Sequence, residues 1–224
     1  MSHYEIEIKS LLGTKDKAEE LVSRMLDIDP DIKIVGESCQ LNHYFIGGDI
    51  HELYKKVEHL FSGKQHDNFK MIADKGKEFS VRTRQKDDEV LLVIKASLDE
   101  NTSSNSVSRM EFEEPVTIPL DELDKLVESA GFHYEAKWSR ERVEYAFKDI
   151  NVCLDKNAGY GYLAEFEIVT DDESSLPEVR EKLKNIMKEV EMEELPQDRL
   201  ARMFAFYNEN WPDYYGTDKT FTIE

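Results

Sequence analysis

The sequence predicts an α+β protein in which antiparallel strands outnumber the helices. Short segments of alternating charged and apolar residues recur between residues 4 and 169, as in strands with one buried face. Helical apolar spacing occurs between some of these segments and after the last of them. The sequence lacks the regular strand–helix alternation that is typical of a parallel sheet. We therefore expect hairpins with a few interspersed helices.

Capping and turn residues separate these segments in the first half of the chain. Thr14 precedes apolar residues at helical spacing over residues 18–26, which predicts a capped helix. Gly47-Gly48 indicates a turn after a long strand. The elements expected here are a strand at 4–9, a helix from 15, a strand at 32–45, a helix at 50–61, a short strand at 70–72, and strands at 79–84 and 90–96.

The second half follows the same logic. Gly131 ends a helical pattern, and the glycines at 159 and 161 indicate a hairpin turn. The expected elements are a polar loop at 99–106, a strand at 107–116, a helix at 119–130, strands at 134–147, 151–154 and 162–169, and helices at 176–190 and 196–210.

Composition limits the class of protein. The chain has 224 residues, 40% of them hydrophobic, which is enough for a real core. We expect a single domain over residues 1–224, with a helical and aromatic C-terminal extension from about residue 191. The net charge of −19 argues against nucleic acid as a partner, because phosphate backbones attract positive surfaces.

The two cysteines, Cys39 and Cys153, have no paired spacing, which favours a reduced cytoplasmic protein. No apolar run approaches the roughly 20 residues that a membrane helix needs, and no signal peptide is recognisable. We expect no membrane association. The sequence does not distinguish a monomer from a homodimer.

Charged residues at every second position mark the first strand. Glu5, Glu7 and Lys9 share one face, whereas Tyr4, Ile6 and Ile8 share the other. Two carboxylates and an ammonium on one face require water, a metal or a charged ligand beside them.

The same pattern recurs in further strands, each time backed by apolar residues. The acids of this set are Glu5, Glu7, Glu111, Glu113, Asp155, Glu165 and Glu167. The bases are Lys9, Arg82, Arg84, Lys95, Arg109, Arg140 and Arg142. A closed antiparallel barrel would direct these side chains inward, and its interior would be a polar tunnel.

This mixture of charges fits one class of ligand. Arginine and lysine side chains match phosphate oxygens, and clustered carboxylates match Mg²⁺ or Mn²⁺. Together they indicate a polyphosphate that is bound with its metal. The rival interpretation is a solvated sheet face with cross-strand ion pairs. The recurrence of this mixed charge pattern in six strands favours the bound ligand over a solvated face. We interpret His43 as a packing or surface residue and Cys153 as inert.

These motifs resemble, in order, those of the CYTH superfamily, the triphosphate tunnel metalloenzymes. Glu5-x-Glu7-x-Lys9 is similar to the N-terminal signature of the family, and Tyr44-Phe45, Arg82-x-Arg84 and Lys95 follow as expected. The remaining matches are Arg109-x-Glu111-x-Glu113, Arg140-x-Arg142, Asp155 and Glu165-x-Glu167. The resemblance covers about residues 3–170. Arg140 replaces the usual lysine, and the segment before Arg82 is long.

The resemblance implies a closed eight-stranded antiparallel barrel with flanking helices, a triphosphate substrate and a divalent metal, Mg²⁺ or Mn²⁺. The implied metal ligands are Glu5, Glu7, Glu111, Glu113, Asp155, Glu165 and Glu167. The implied substrate-binding residues are Lys9, Arg82, Arg84, Lys95, Arg109, Arg140 and Arg142. The implied catalytic residues are Lys9, Tyr44 and Lys95.

Three functions remain open at this point. The first is a metal-dependent phosphohydrolase that acts on inorganic tripolyphosphate or on an organic or nucleoside triphosphate. The second is an adenylyl cyclase that makes cyclic AMP and pyrophosphate from ATP. The third is a non-catalytic module that binds triphosphate or polyphosphate. We favour hydrolysis, because no feature of the sequence indicates recognition of adenine.

Overall fold

Eight strands form one antiparallel sheet in the computed structural model, which describes residues 4–97, 109–170 and 172–224. The side chains of Glu5 and Arg109 and the predicted loop at 99–106 lie outside the described part. The strands are β1 (Tyr4–Gly13), β2 (Lys33–Gly47), β3 (Lys77–Lys86), β4 (Glu89–Ser97), β5 (Arg109–Val116), β6 (Phe132–Phe147), β7 (Ile150–Asn157) and β8 (Gly161–Thr170).

Helices lie between the strands and after them. Within the described ranges they are α1 (Lys15–Ile28), α2 (Ile50–Val57), α3 (Lys64–Lys75), α4 (Leu120–Ser129), α5 (Leu176–Glu189) and α6 (Gln197–Asn210). The hydroxyl of Thr14 accepts a hydrogen bond from the backbone N–H of Lys17 and caps α1, as predicted. None of the helices is long and apolar enough to cross a membrane in the part of the chain described.

The α+β class is confirmed, and so is the antiparallel arrangement. The strand order is β1-β8-β7-β6-β2-β3-β4-β5, which begins at β1 and ends at β5. Among the described residues, no ladder pairs these two terminal strands. The closed barrel is therefore not confirmed by hydrogen bonding and stays a prediction.

The prediction of a short strand at residues 70–72 is wrong. These residues lie in α3, which buries Phe69, Ile72 and Ala73. Their spacing of three and four residues places them on one side of a helix, where they join a hydrophobic core. The strand prediction assigned a two-residue period to a brief run that belongs to a longer segment with helical spacing.

The chain forms two compact units. Unit 1 comprises Met1–Cys39 and Ser139–Glu224, and unit 2 comprises Gln40–Trp138. Strands β2 and β6 contribute to both, because each runs across a unit boundary.

Unit 1 buries one face of its strands beneath α1 and α5. Ile8, Val152 and Phe166 come from β1, β7 and β8, whereas Leu21 and Leu183 come from the two helices. All five side chains are almost completely removed from water. Burial of apolar side chains contributes about 1.5–3 kcal/mol each, so this face determines which way the strands are turned.

Unit 2 repeats the arrangement with different helices. Phe45, Val81, Ile94 and Phe112 occupy one face of β2, β3, β4 and β5, and they share a core with residues from α2, α3 and α4. The Phe69 and Phe112 rings lie 5.0 Å apart between centroids. The opposite face of these strands is left for polar side chains.

A buried carboxylate on α4 joins this core to three strands, β2, β3 and β6. Asp124 accepts hydrogen bonds from the Thr83 hydroxyl at 2.5 Å and from the Tyr134 hydroxyl at 2.7 Å, and His43 Nδ1 lies 2.7 Å from it. Burial alone would raise the pKa of Asp124, but these hydrogen bonds and the nearby histidine outweigh it and lower the pKa. The carboxylate thus stays ionised inside the core.

The segment after residue 191 packs against the strands of unit 1. The Leu195 backbone N–H donates to the Lys9 carbonyl at 2.7 Å, on the edge strand β1. The Phe221 N–H donates to the Gly159 carbonyl at 2.8 Å, beside the β7–β8 turn. A side chain at Gly159 would meet Tyr207 and Phe221, so the turn needs glycine there.

Asp124→Ala is expected to lower the free energy of unfolding by about 3 kcal/mol, because the buried His43 and Thr83 and the partly buried Tyr134 lose their acceptor. Urea denaturation measures the change. The matched control is Asp121→Ala on the same helix, whose exposed ion pair with Lys125 contributes less than about 1 kcal/mol. Equal losses in the two variants would contradict the role given to the Asp124 network.

Candidate functional site

The face of the unit 1 strands that is turned away from the core carries the predicted charges. Glu7 on β1 lies directly opposite Glu167 on β8, which lies opposite Asn151 on β7. Lys9 lies opposite Glu165 in the next row. Directly paired residues of neighbouring strands point to the same face, so these side chains share one surface.

Arg142 forms the centre of this surface. Its Nε and Nη2 each donate to Asp155 at 2.7 Å, and Nη2 also donates to Glu165. The Asp155 side chain is only 1% exposed. Arg140 adds a second contact to Asp155 at 3.2 Å. A carboxylate buried this deeply is stable as an anion only with such partners.

Lys9 links the two acidic strands. Its Nζ lies 2.5 Å from Glu7 and 3.0 Å from Glu165. Burial would lower the pKa of Lys9, but the two carboxylates outweigh it and raise the pKa. Burial would likewise raise the pKa of Glu165, yet Lys9 and Arg142 hold it below its ordinary value. Lys9 and Glu165 are therefore both charged near neutral pH.

The opposition of Glu7 and Glu167 bears on the expected metal. Like charges directly opposite each other destabilise a sheet, and a cation between them removes that cost. Carboxylate oxygens are the ligands that Mg²⁺ and Mn²⁺ prefer, so the donor chemistry fits either ion. Among the described side chains, however, no three acidic, histidine or cysteine groups are already gathered around one point.

In unit 2, the polar face carries cations from β3 and β4. Tyr44 on β2 lies opposite Arg82 on β3, and Arg84 lies opposite Asn42. Arg84 Nε donates to Asn42 at 2.7 Å, and its Nη1 donates to Glu113 at 2.6 Å. The guanidinium is thereby held between partners on β2 and β5, with its side chain 18% exposed.

The expected catalytic side chains have separate partners in this unit. The Arg82 guanidinium lies 4.5 Å from the centre of the Tyr44 ring, a cation–π contact. Lys95 Nζ donates to Glu111 at 2.7 Å. Strand β3 separates Tyr44 on β2 from Lys95 on β4. Their action as a pair stays a prediction.

The predicted site residues with described side chains thus fall into two groups. Unit 1 brings together Glu7, Lys9, Arg140, Arg142, Asp155, Glu165 and Glu167. Unit 2 aligns Tyr44, Arg82, Arg84, Lys95, Glu111 and Glu113 on one face. His43 points into the core with Asp124, which agrees with its interpretation as a packing residue.

Two asparagines on these faces were missed by reasoning from the sequence. Asn42 binds Arg84, and Asn151 Nδ2 donates to Glu167 at 2.8 Å. Both share strand parity with predicted site residues, Asn42 with Tyr44 and Asn151 with Asp155. That parity was the available signal in the sequence, although neither asparagine carries the charge that defines the acidic and basic sets.

Comparison with known proteins gives one family. The model of the CYTH domain family matches residues 66–199, more than half of the chain. No curated protein sequence matches.

Several solved structures share the fold. One is a conserved hypothetical protein from Pyrococcus furiosus, with a TM-score of 0.54 and 17% identity over 85% of this chain and 92% of its own. Another is a candidate adenylate cyclase from Vibrio parahaemolyticus, with a TM-score of 0.54 and 16% identity over 92% and 99%. A third is a Pyrococcus horikoshii protein, with a TM-score of 0.52 and 20% identity over 87% and 94%.

Arg142→Met is expected to lower the free energy of unfolding by about 3–5 kcal/mol at neutral pH, because Asp155 and Glu165 stay buried with fewer cations. The lowered pKa of Glu165 means that its ion pairs stabilise the fold above its ordinary value of 4.5. This contribution is lost as the pH falls through the lowered pKa of Glu165. The difference in the free energy of unfolding between wild type and variant therefore narrows in that pH range.

Urea unfolding between about pH 7 and about pH 3 measures this difference. Arg180→Met is the matched control, because Arg180 is half exposed and paired with Glu194 on the surface. A variant at Arg142 that is as stable as the Arg180 control would overturn the assignment.

Proposed function

The chain belongs to the CYTH domain family, and we propose that it is a divalent-metal-dependent phosphohydrolase that acts on a triphosphate. The substrate class is inorganic tripolyphosphate or an organic or nucleoside triphosphate. The observation that carries the proposal is the polar face of unit 1, where Glu7 opposes Glu167 beside Lys9, Arg140 and Arg142.

Both charges of this face are needed for such a substrate. A triphosphate carries several negative charges, and forked guanidinium groups bind its oxygens with two donors at once. Carboxylates alone would repel it unless a cation lay between them. The mixture therefore favours a triphosphate bound with Mg²⁺ or Mn²⁺ over either partner alone.

The proposed reaction is the transfer of the terminal phosphoryl group to water. Water attacks the terminal phosphorus, and the bond from that phosphorus to the bridging oxygen breaks. Tripolyphosphate then yields orthophosphate and pyrophosphate. Arg140, Arg142 and Lys9 would neutralise the charge that develops on the phosphoryl oxygens.

The metal would be held by the acidic residues of the face, with Glu7 and Glu167 as its central ligands. When bound, it supplies charge neutralisation and Lewis-acid polarisation of the phosphate chain. The chain's own cations bind and orient the substrate, and Arg82, Arg84 and Lys95 are proposed to take part in phosphate binding.

An adenylyl cyclase is the alternative activity. There the ribose 3′ hydroxyl attacks the α-phosphorus, and pyrophosphate leaves. The Vibrio parahaemolyticus protein that shares the fold is described as a candidate adenylate cyclase. A non-catalytic module is the second alternative, although the acidic pairs would weaken phosphate binding in the absence of metal.

The deciding experiment incubates the pure protein with tripolyphosphate and with ATP. Each substrate is supplied with Mg²⁺, with Mn²⁺ or with a chelator, and all products are separated. Orthophosphate from tripolyphosphate in the metal samples alone supports the proposal. Cyclic AMP with pyrophosphate would replace it with the cyclase. Metal-dependent binding without any product would replace it with the binding module.

Glu167→Gln is expected to lower kcat by at least about 100-fold, because a central metal ligand loses its charge. The same is expected of Glu5→Gln. Steady-state kinetics with tripolyphosphate measure the loss, and circular dichroism checks the fold. The exposed Glu209→Gln on α6 is the control. Wild-type turnover in both acidic variants would refute the metal assignment.

Arg84→Ala is expected to raise KM by about 10-fold to 100-fold, because a charge-assisted hydrogen bond to phosphate contributes about 1.5–3 kcal/mol. The variant also releases Asn42 and Glu113 from their shared partner. The control is Arg180→Ala, an exposed arginine of α5. A KM equal to that of the control would count against phosphate binding by Arg84.

A further inference from the structure

Asn151 occupies a position on β7 that completes the row of opposed acids in unit 1. Across the sheet, Glu7 on β1, Glu167 on β8 and Asn151 on β7 follow one another in direct register. Neighbouring strands lie about 4.8 Å apart, so the amide is next to the carboxylate of Glu167 and one strand further from Glu7.

The Asn151 amide is held by two acceptors. Its Nδ2 donates to Glu167 Oε1 at 2.8 Å and to the Cys153 sulfur at 3.5 Å. Two acceptors for the two amide hydrogens leave the Asn151 side chain one orientation on this face.

The kind of partner distinguishes Glu167 from the other acids of the face whose side chains are described. Glu7 contacts Lys9, Glu165 contacts Lys9 and Arg142, and Asp155 contacts both arginines. The partner of Glu167 is instead a neutral amide, and no cation within the described ranges forms an ion pair with it. A neutral donor orients a carboxylate without cancelling its charge.

We propose that Asn151 is a positioning residue that holds one oxygen of Glu167, so that the other oxygen is presented to the divalent metal. Outer partners of this kind orient a ligand before the metal arrives and are worth a large share of its affinity. This inference rests on the proposed function, since it assigns a role around the same metal.

The test measures Mn²⁺ affinity directly, by electron paramagnetic resonance of the free ion, without any substrate. Asn151→Ala is expected to weaken Mn²⁺ binding by about 10-fold to 100-fold. Asn151→Val also lacks the donors and retains a strand-forming side chain, so a folded variant is available if alanine destabilises the strand. The matched control is Asn157→Ala, on the same strand and the same face.

A double-mutant cycle separates this inference from the proposed function. Asn151→Ala added to Glu167→Gln is expected to cause no further loss, because the amide acts through that carboxylate. Additive losses, or an Asn151 variant that binds Mn²⁺ like the control, would overturn the positioning role. Unchanged Mn²⁺ binding in Glu167→Gln itself would instead overturn the metal site.

Discussion

Every charged side chain of the candidate site depends on the two-residue period of the strands. In unit 1, Ile8 and Phe166 must be buried beneath α1 and α5, and this requirement turns Glu7, Lys9 and Glu167 to the opposite face. A register slip of one residue would exchange the two faces and would cost the whole apolar contribution. The hydrophobic core on one face therefore fixes where the charges lie on the other.

The charges of two arginines on these faces are balanced by neighbouring carboxylates. Arg142 is bound by Asp155 and Glu165, and Arg84 is bound by Asn42 and Glu113. Partly buried arginines paired in this way keep their geometry before a ligand arrives, which reduces the ordering cost of binding. The proposed triphosphate substrate would have to compete with these carboxylates for the guanidinium groups. A divalent cation that takes up the carboxylates would make that exchange more favourable.

Sequence reasoning recovered the side of each strand but not the partner of each side chain. Glu165 and Glu167 look alike in the sequence, yet one is bound by Lys9 and Arg142 and the other by Asn151. That difference arises from the register between strands far apart in the chain, which periodicity does not determine. The same reason hid the Asp124 network. It joins residues that are 41 and 81 positions apart.

The two cysteines, for which the proposed chemistry has no direct use, provide a chemical view of the sheet. Cys39 is exposed on β2, whereas the Cys153 side chain is 1% exposed among the acids of β7 and β8. Alkylating reagents need a thiolate that they can reach, so Cys39 reacts first and Cys153 reacts only when β7 opens locally. The slow modification rate of Cys153 would therefore report how often β7 opens beside the acidic side chains, without a label or a substrate.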